Sequence, residues 1–490
     1  MKWWKGTVLG VGVLLSLHIC AARLQAQGRG QDLEREASEH FEAGQNAHEA
    51  GDLRRAIESY DKALQLDENL WQAEYQRAMA RLSLRQFDLA RNGLIKVERR
   101  LVEIDQAGGG ASIRGVLERV TMTLADCWRL DGQWAEASDS YRRAISRGAP
   151  AGIVHLALAE IALEEGKWQE AIREAKTALD AESKLSAQAW LVLGLASFEL
   201  KREDDADEYL SKAIASSSTN LQLALRRRAE IRINRKQYDG AITDLRDLRS
   251  QGGDLESQFR LAWALWQNQQ STEALEEYRQ ILERDPLHRG ARMATANLLI
   301  ELGRRDEAIR EFESLIKEEP ARADLLAQLA ELLVITEPER ALELYLSAIR
   351  VESTKVSHRI GLGGVLVRMR RMAEAVPVLR QALEMGPDDD TIYYAHTNLG
   401  TALYELNDFA GALEEFRWIL KHQQDPSRIP VTLYFLAICH DRLGQYEAAL
   451  RHYDQFLGRA TRANQLEIEK VQLRLPRLRK QIREGKGKRE

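Results

Sequence analysis

The chain has 490 residues and a formal charge of −5, with 44% hydrophobic, 30% charged and 7% aromatic residues. That charge excludes a whole-protein basic footprint for nucleic acid, and 9 prolines with few aromatics argue against a collagen-like chain, a disordered tract or a turn-rich β-sandwich. A long, heavily solvated molecule satisfies both the apolar and the charged content.

Lys2 and Lys5 precede an almost wholly apolar stretch from Thr7 to Ala22, shorter than the ~20 residues that cross a bilayer. Small residues at Cys20, Ala22 and Ala26 offer cleavage points, so residues 1–26 read as a secretory signal peptide or, alternatively, as an uncleaved anchor. No Asn-x-Ser/Thr acceptor occurs, which favours a bacterial envelope and a periplasmic location. The only cysteines are Cys20, Cys127 and Cys439, too few for a disulfide framework. Residues 27–36, QGRGQDLERE, are expected to form a polar linker.

From residue 37 an alanine recurs at Ala56, Ala90, Ala137, Ala171, Ala206, Ala241, Ala274, Ala308, Ala341, Ala375, Ala412 and Ala449. The steps centre on 34 residues, with a single step of 47 between Ala90 and Ala137. Twelve residues before the marker stands a small residue, such as Gly44, Gly194 or Gly363; Leu329 is the exception. Four residues after it stands a large apolar residue, such as Tyr60, Tyr278 or Phe416; Ala175 is the exception. Small residues on facing helices allow close backbone approach, and the large residue fills the space beyond. Gly51, Gly132, Gly166, Gly303 and Gly444 mark turns between the two helices. Each unit is thus a helix–turn–helix pair, giving two units in 37–104 and ten in 118–463. The thirteen extra residues of the long step, 105–117, include Gly108-Gly109-Gly110 and are expected to form a mobile loop.

These residues resemble the tetratricopeptide repeat family. Trp190, Leu193 and Gly194, with Leu399, Gly400 and Tyr404, are close to the pattern of that family's first helix. The Ala-x3-Tyr/Phe feature matches its second. The resemblance implies an all-α, right-handed superhelical α-solenoid whose concave groove, lined by first helices, holds protein or peptide partners. The family's Lys/Asn/Arg carboxylate clamp does not fit, because Ile360 and Gly364 stand where Lys and Asn are needed.

Candidate groove anchors are Phe259, Trp263 and Trp266, spaced i, i+4, i+7 on one face, with Tyr394, Tyr404 and Tyr434 at comparable positions. Packing between successive first helices is the competing role for these rings. Arg226, Arg227, Arg228 and Arg232 form a basic patch that could hold an acidic partner or pair with the carboxylates of the preceding unit. His48 lacks the second histidine of a HExxH site, and no catalytic, metal or cofactor constellation is found. In residues 464–490, Ile468, Val471, Leu475, Leu478 and Ile482 draw one apolar seam opposite Lys470, Arg474, Arg477, Arg479, Lys480 and Arg483. This helix is expected to cap the array; the alternative is contact with an anionic membrane or an acidic partner. The functional expectation is an exported, non-enzymatic scaffold for envelope assembly. A membrane-anchored assembly, trafficking or chaperone-like factor, and an enzyme with residues on the Gly108 loop, are the alternatives.

Overall fold

The computed structural model describes residues 29–216, 220–423 and 425–487; the proposed signal segment 1–26 lies outside them. Among the described residues there are 25 α-helices, two 3-10 turns and no strand. The chain divides into two compact units, Met1–Ser257 and Gln258–Glu490.

Successive helices pair as hairpins, twelve in all, and a last helix, Gln465–Arg483, follows them. All twelve marker alanines are completely buried. The glycines twelve residues upstream show why: a Cβ at Gly44 would lie 2.5 Å from the Tyr60 ring, and one at Gly363 would lie 2.4 Å from Leu379. Contact this close excludes any larger side chain unless the partner moves. Within the first unit, the first helices Ala151–Glu164, Ser186–Glu199 and Leu221–Asn234 pack in succession; within the second, Ala323–Leu333, Val356–Arg368 and Asp389–Glu405 do the same. Among the described residues, successive second helices do not pack to this extent. The row of first helices therefore forms the inner side of each unit.

The turn inside eleven of the twelve hairpins has one geometry. Five residues before the marker the backbone is left-handed in eleven units, as at Gly51 (φ 81°), Lys236 (φ 58°) and Gln269 (φ 61°). The next amide closes the helix end on the carbonyl five residues back, as from Asp52 to Ala47 at 2.9 Å and from Gln237 to Arg232 at 2.8 Å. This is the Schellman arrangement, which satisfies otherwise orphaned carbonyls. The ninth unit lacks it: its short helix Ala323–Leu333 gives way to Pro338, which opens the next helix.

Two expectations are corrected. The mobile loop at 105–117 is a three-residue connection at 107–109, between helices Phe87–Gln106 and Gly110–Leu130 of 20 and 21 residues. Most other helices have 13 or 14 residues, so the insertion lengthens the last helix of the second hairpin and the first helix of the third. Leu101, Val116 and Leu117 are buried along those helices, with Ile104 and Ile113 packed beside them. That apolar spacing continues the helices up to the glycines. Gly109 makes the tight turn, since a Cβ there would lie 2.8 Å from the Ile104 carbonyl oxygen. The linker at 27–36 is likewise helical from Arg29, within a 21-residue helix ending at Glu49. Its Leu, Glu and Arg residues are good helix formers, and Ala37 is already buried.

The terminal helix caps the second unit. Val471, Leu475 and Leu478 join Leu433, Ala437, Ala449, Tyr453 and Phe456 in one buried cluster, with Ile468 and Ile482 packed against it. Arg474 adds a two-pronged ion pair to Asp441, at 2.6 and 2.7 Å.

Candidate functional site: the row of first helices

The basic patch is not a free surface. Asp244, whose side chain is fully buried, accepts from both forks of Arg228 at 2.5 and 3.0 Å and from Arg232 at 2.9 Å. Arg232 also pairs with Asp207 at 3.3 Å, and Arg226 with Asp254 at 3.0 Å. Arg227 pairs with Glu230 at 3.0 Å and lies over the Phe198 ring. Each guanidinium already has a carboxylate, so the internal pairing that stood beside an acidic partner as the other role of this patch is present. The principal partner, Asp244, comes from the second helix of the same hairpin. Pairing with carboxylates of the preceding unit is present as well: Arg232 meets Asp207, and the adjacent Arg235 meets Glu203 and Asp204 at 3.0 and 2.8 Å.

The aromatic candidates divide. Phe259 meets Tyr278 edge-on and stacks on His288, both at 5.4 Å, and a Cβ at Gly290 would come within 3.2 Å of its ring. Tyr404 packs edge-on against Phe409 and Phe435, and Tyr434 against Phe435 with Phe456 at 5.4 Å. Burial pushes the phenols of Tyr404 and Tyr434 above their ordinary range. These three rings join adjacent helices. Trp263 is half-buried. Trp266, also half-buried, donates its indole N–H to Glu301 at 2.8 Å on the following first helix. Tyr394 differs: it is 57% exposed on helix Asp389–Glu405, touching Tyr393 edge-on. Nearby, a Cβ at Gly364 would lie 3.3 Å from the Asn398 amide nitrogen.

One recurring polar tie had no equivalent in the sequence reading. His155 meets Glu174 at 2.6 Å, Gln258 meets Glu277 at 3.2 Å, Arg292 meets Glu311 at 3.0 Å and His396 meets Glu415 at 2.5 Å. All four pairs are 19 residues apart and join the two helices of one hairpin. The signal was a spacing, but the partner types vary. His396 also stacks on Trp418 at 3.8 Å, and Trp418 on His422 at 4.2 Å. These histidines are structural ties rather than a cluster of ligands.

Among the described residues, no group of three His, Cys, Asp or Glu side chains is placed to hold a metal ion. No helix there is long and apolar enough to cross a membrane. Cys127 and Cys439 are buried, and burial pushes their thiols up to about 11 and about 12. They act as small hydrophobic side chains.

Stacked two-helix units joined by Schellman turns define a helical-repeat protein. The tetratricopeptide repeat family matches residues 129–184, 156–220, 259–323, 331–390 and 397–464, and a second description of the same repeat matches 40–70. The chain belongs to the tetratricopeptide repeat family. No curated protein matches it. Among solved structures, a MamA fragment from Desulfovibrio magneticus RS-1 is 18% identical, covering 34% of this chain and 95% of that one, with a TM-score of 0.32. The C-terminal part of a repeat protein from Cytophaga hutchinsonii is 16% identical, covering 49% and 99%, at 0.41. The Cut9–Hcn1 complex is similar at 12% identity, covering 90% and 97%, at 0.37. Likenesses this distant decide nothing about shape or partner.

Proposed function

We propose that this chain is an exported, non-enzymatic scaffold that binds protein or peptide segments along its first helices and serves assembly of an envelope complex. The observation that supports it is Tyr394, a large ring left 57% exposed on the inner row while the neighbouring aromatics are taken up by packing. An aromatic anchor beside small and polar groups suits recognition of an extended peptide, and a preformed helical surface pays little ordering cost on binding. The third alternative, loop-borne catalysis, loses its support because the Gly108 loop is only a short connection.

A photo-crosslinking residue at position 394, used in cells and read by mass spectrometry, should trap a defined partner segment. The same probe at Leu346, exposed on the second helix Pro338–Val351, should not. Equal trapping from both positions overturns the reading. Export rests on residues 1–26, and amino-terminal sequencing of the fractionated protein separates a cleaved signal from a retained anchor.

A further inference from the structure

We propose that the outward face of the terminal helix Gln465–Arg483 is a docking surface for an anionic phospholipid bilayer. The helix has two faces with different fates. Its apolar seam is consumed by the cap, since Val471, Leu475 and Leu478 are buried against the twelfth hairpin. The opposite face nevertheless carries Leu466 and Leu473, 68% and 82% exposed. They are seven residues apart, two turns along one side of the helix. Lys470 and Arg477 fall on the same stripe, and both are exposed.

Charge identifies the occupant. Residues 465–487 hold seven Lys or Arg against three Glu, in a chain whose net charge is −5. Arg474 is spent on Asp441. Lys470, Arg477 and Arg483 have no carboxylate within ion-pair distance among the described residues. Arg479 and Lys480 reach theirs only at 3.9 and 3.8 Å. From Lys470 to Arg483 the cations span roughly 20 Å of helix. Along the exposed stripe Leu466, Lys470, Leu473 and Arg477 alternate apolar and cationic side chains. An acidic peptide would answer only the cations, whereas an anionic surface with an apolar interior fits both the cations and the leucines. Long Lys and Arg stems let the charges sit at the headgroups while the leucines enter. Because the seam stays in the cap, docking leaves the fold intact. The surface is independent of whatever the first helices bind.

The test uses the full chain with phosphatidylcholine vesicles that are roughly one-third phosphatidylglycerol, alongside pure phosphatidylcholine vesicles. The expected result is co-sedimentation with the anionic vesicles at low salt, released by added salt. The double variant Lys470→Glu/Arg477→Glu should weaken it by at least roughly tenfold, and Leu473→Asp should weaken it as well. All three positions are exposed, so melting by circular dichroism should not change. If the charge reversal lowers melting, Lys470→Gln/Arg477→Gln supplies the same comparison. Sedimentation that is equal for wild type and variants, or equal on neutral vesicles, overturns the proposal and assigns binding to the apolar amino-terminal stretch. Absence of binding also overturns it. Binding to a polyglutamate peptide without binding to vesicles replaces the bilayer with an acidic protein.

Discussion

Two stretches advertise themselves in the sequence, the arginines of helix Leu221–Asn234 and the aromatic rings placed on later first helices. The structure treats them differently. Every arginine named in the patch is matched by a carboxylate from its own helix, a neighbouring helix or the following connection, so the patch closes on itself. The rings are only partly absorbed, and Tyr394 stays open. A charge is recruited by any carboxylate within reach, and a solenoid built with 30% charged residues supplies many. A ring needs a shaped cavity, and each interface has room for only a few.

The largest effect expected from breaking the charged side is at Asp244. Replacing it with Ala leaves Arg228 and Arg232 facing a fully buried vacancy, and stranding such a charge costs ~3–5 kcal/mol. Arg232 keeps Asp207, so about 3 kcal/mol, read by urea unfolding, is the expectation. A loss below ~1 kcal/mol would mean that the arginines find water easily, and the patch would again be available to a partner.

The aromatic side gives a matched pair. Tyr434→Ala removes a ring held among Phe435 and Phe456 and should cost ~2–3 kcal/mol, somewhat below a fully buried aromatic. Tyr394→Ala removes an exposed ring and should change stability by less than ~0.5 kcal/mol, while reducing capture of the trapped partner. If Tyr394→Ala destabilises as much as Tyr434→Ala, the distinction between packed and open rings fails.

How much was legible follows from the kind of signal. The marker alanines, their small partners and the large residue beyond were readable because close approach restricts residue type: at Gly44 and Gly363 no side chain fits. The carboxyl-terminal seam was readable for the same reason, since burial demands apolar residues at helical spacing. The insertion at 105–117 was misread because glycine was weighed over the apolar spacing from Leu101 to Leu117; a single turn satisfied the glycines. Asp244 was missed because nothing in its type distinguishes a buried carboxylate from the many exposed ones. Phe259, Tyr404 and Tyr434 are half-buried rings that join adjacent helices, and the sequence does not separate packed from open rings because a repeat places core and surface rings on adjacent helix faces.

Both stretches are followed by the same turn, and there they can be compared on equal terms. After the arginine helix the left-handed position is Lys236, and after helix Leu255–Gln267 it is Gln269. In five other units a glycine occupies this place. A side chain in the left-handed region costs ~1–2 kcal/mol, whereas glycine there costs mainly the entropy of ordering it, ~0.5–1 kcal/mol. Lys236→Gly and Gln269→Gly should therefore each stabilise the fold by about 0.5 kcal/mol, measured by thermal or urea unfolding. The charge lost at Lys236 makes the pair informative. If the arginine helix is a closed ion-pair network, removing this neighbouring cation matters little and the two gains agree. A gain at Gln269 with a loss at Lys236 would show that the turn lysine is part of that network, and that the charged stretch is more tightly coupled to its turn than the aromatic one.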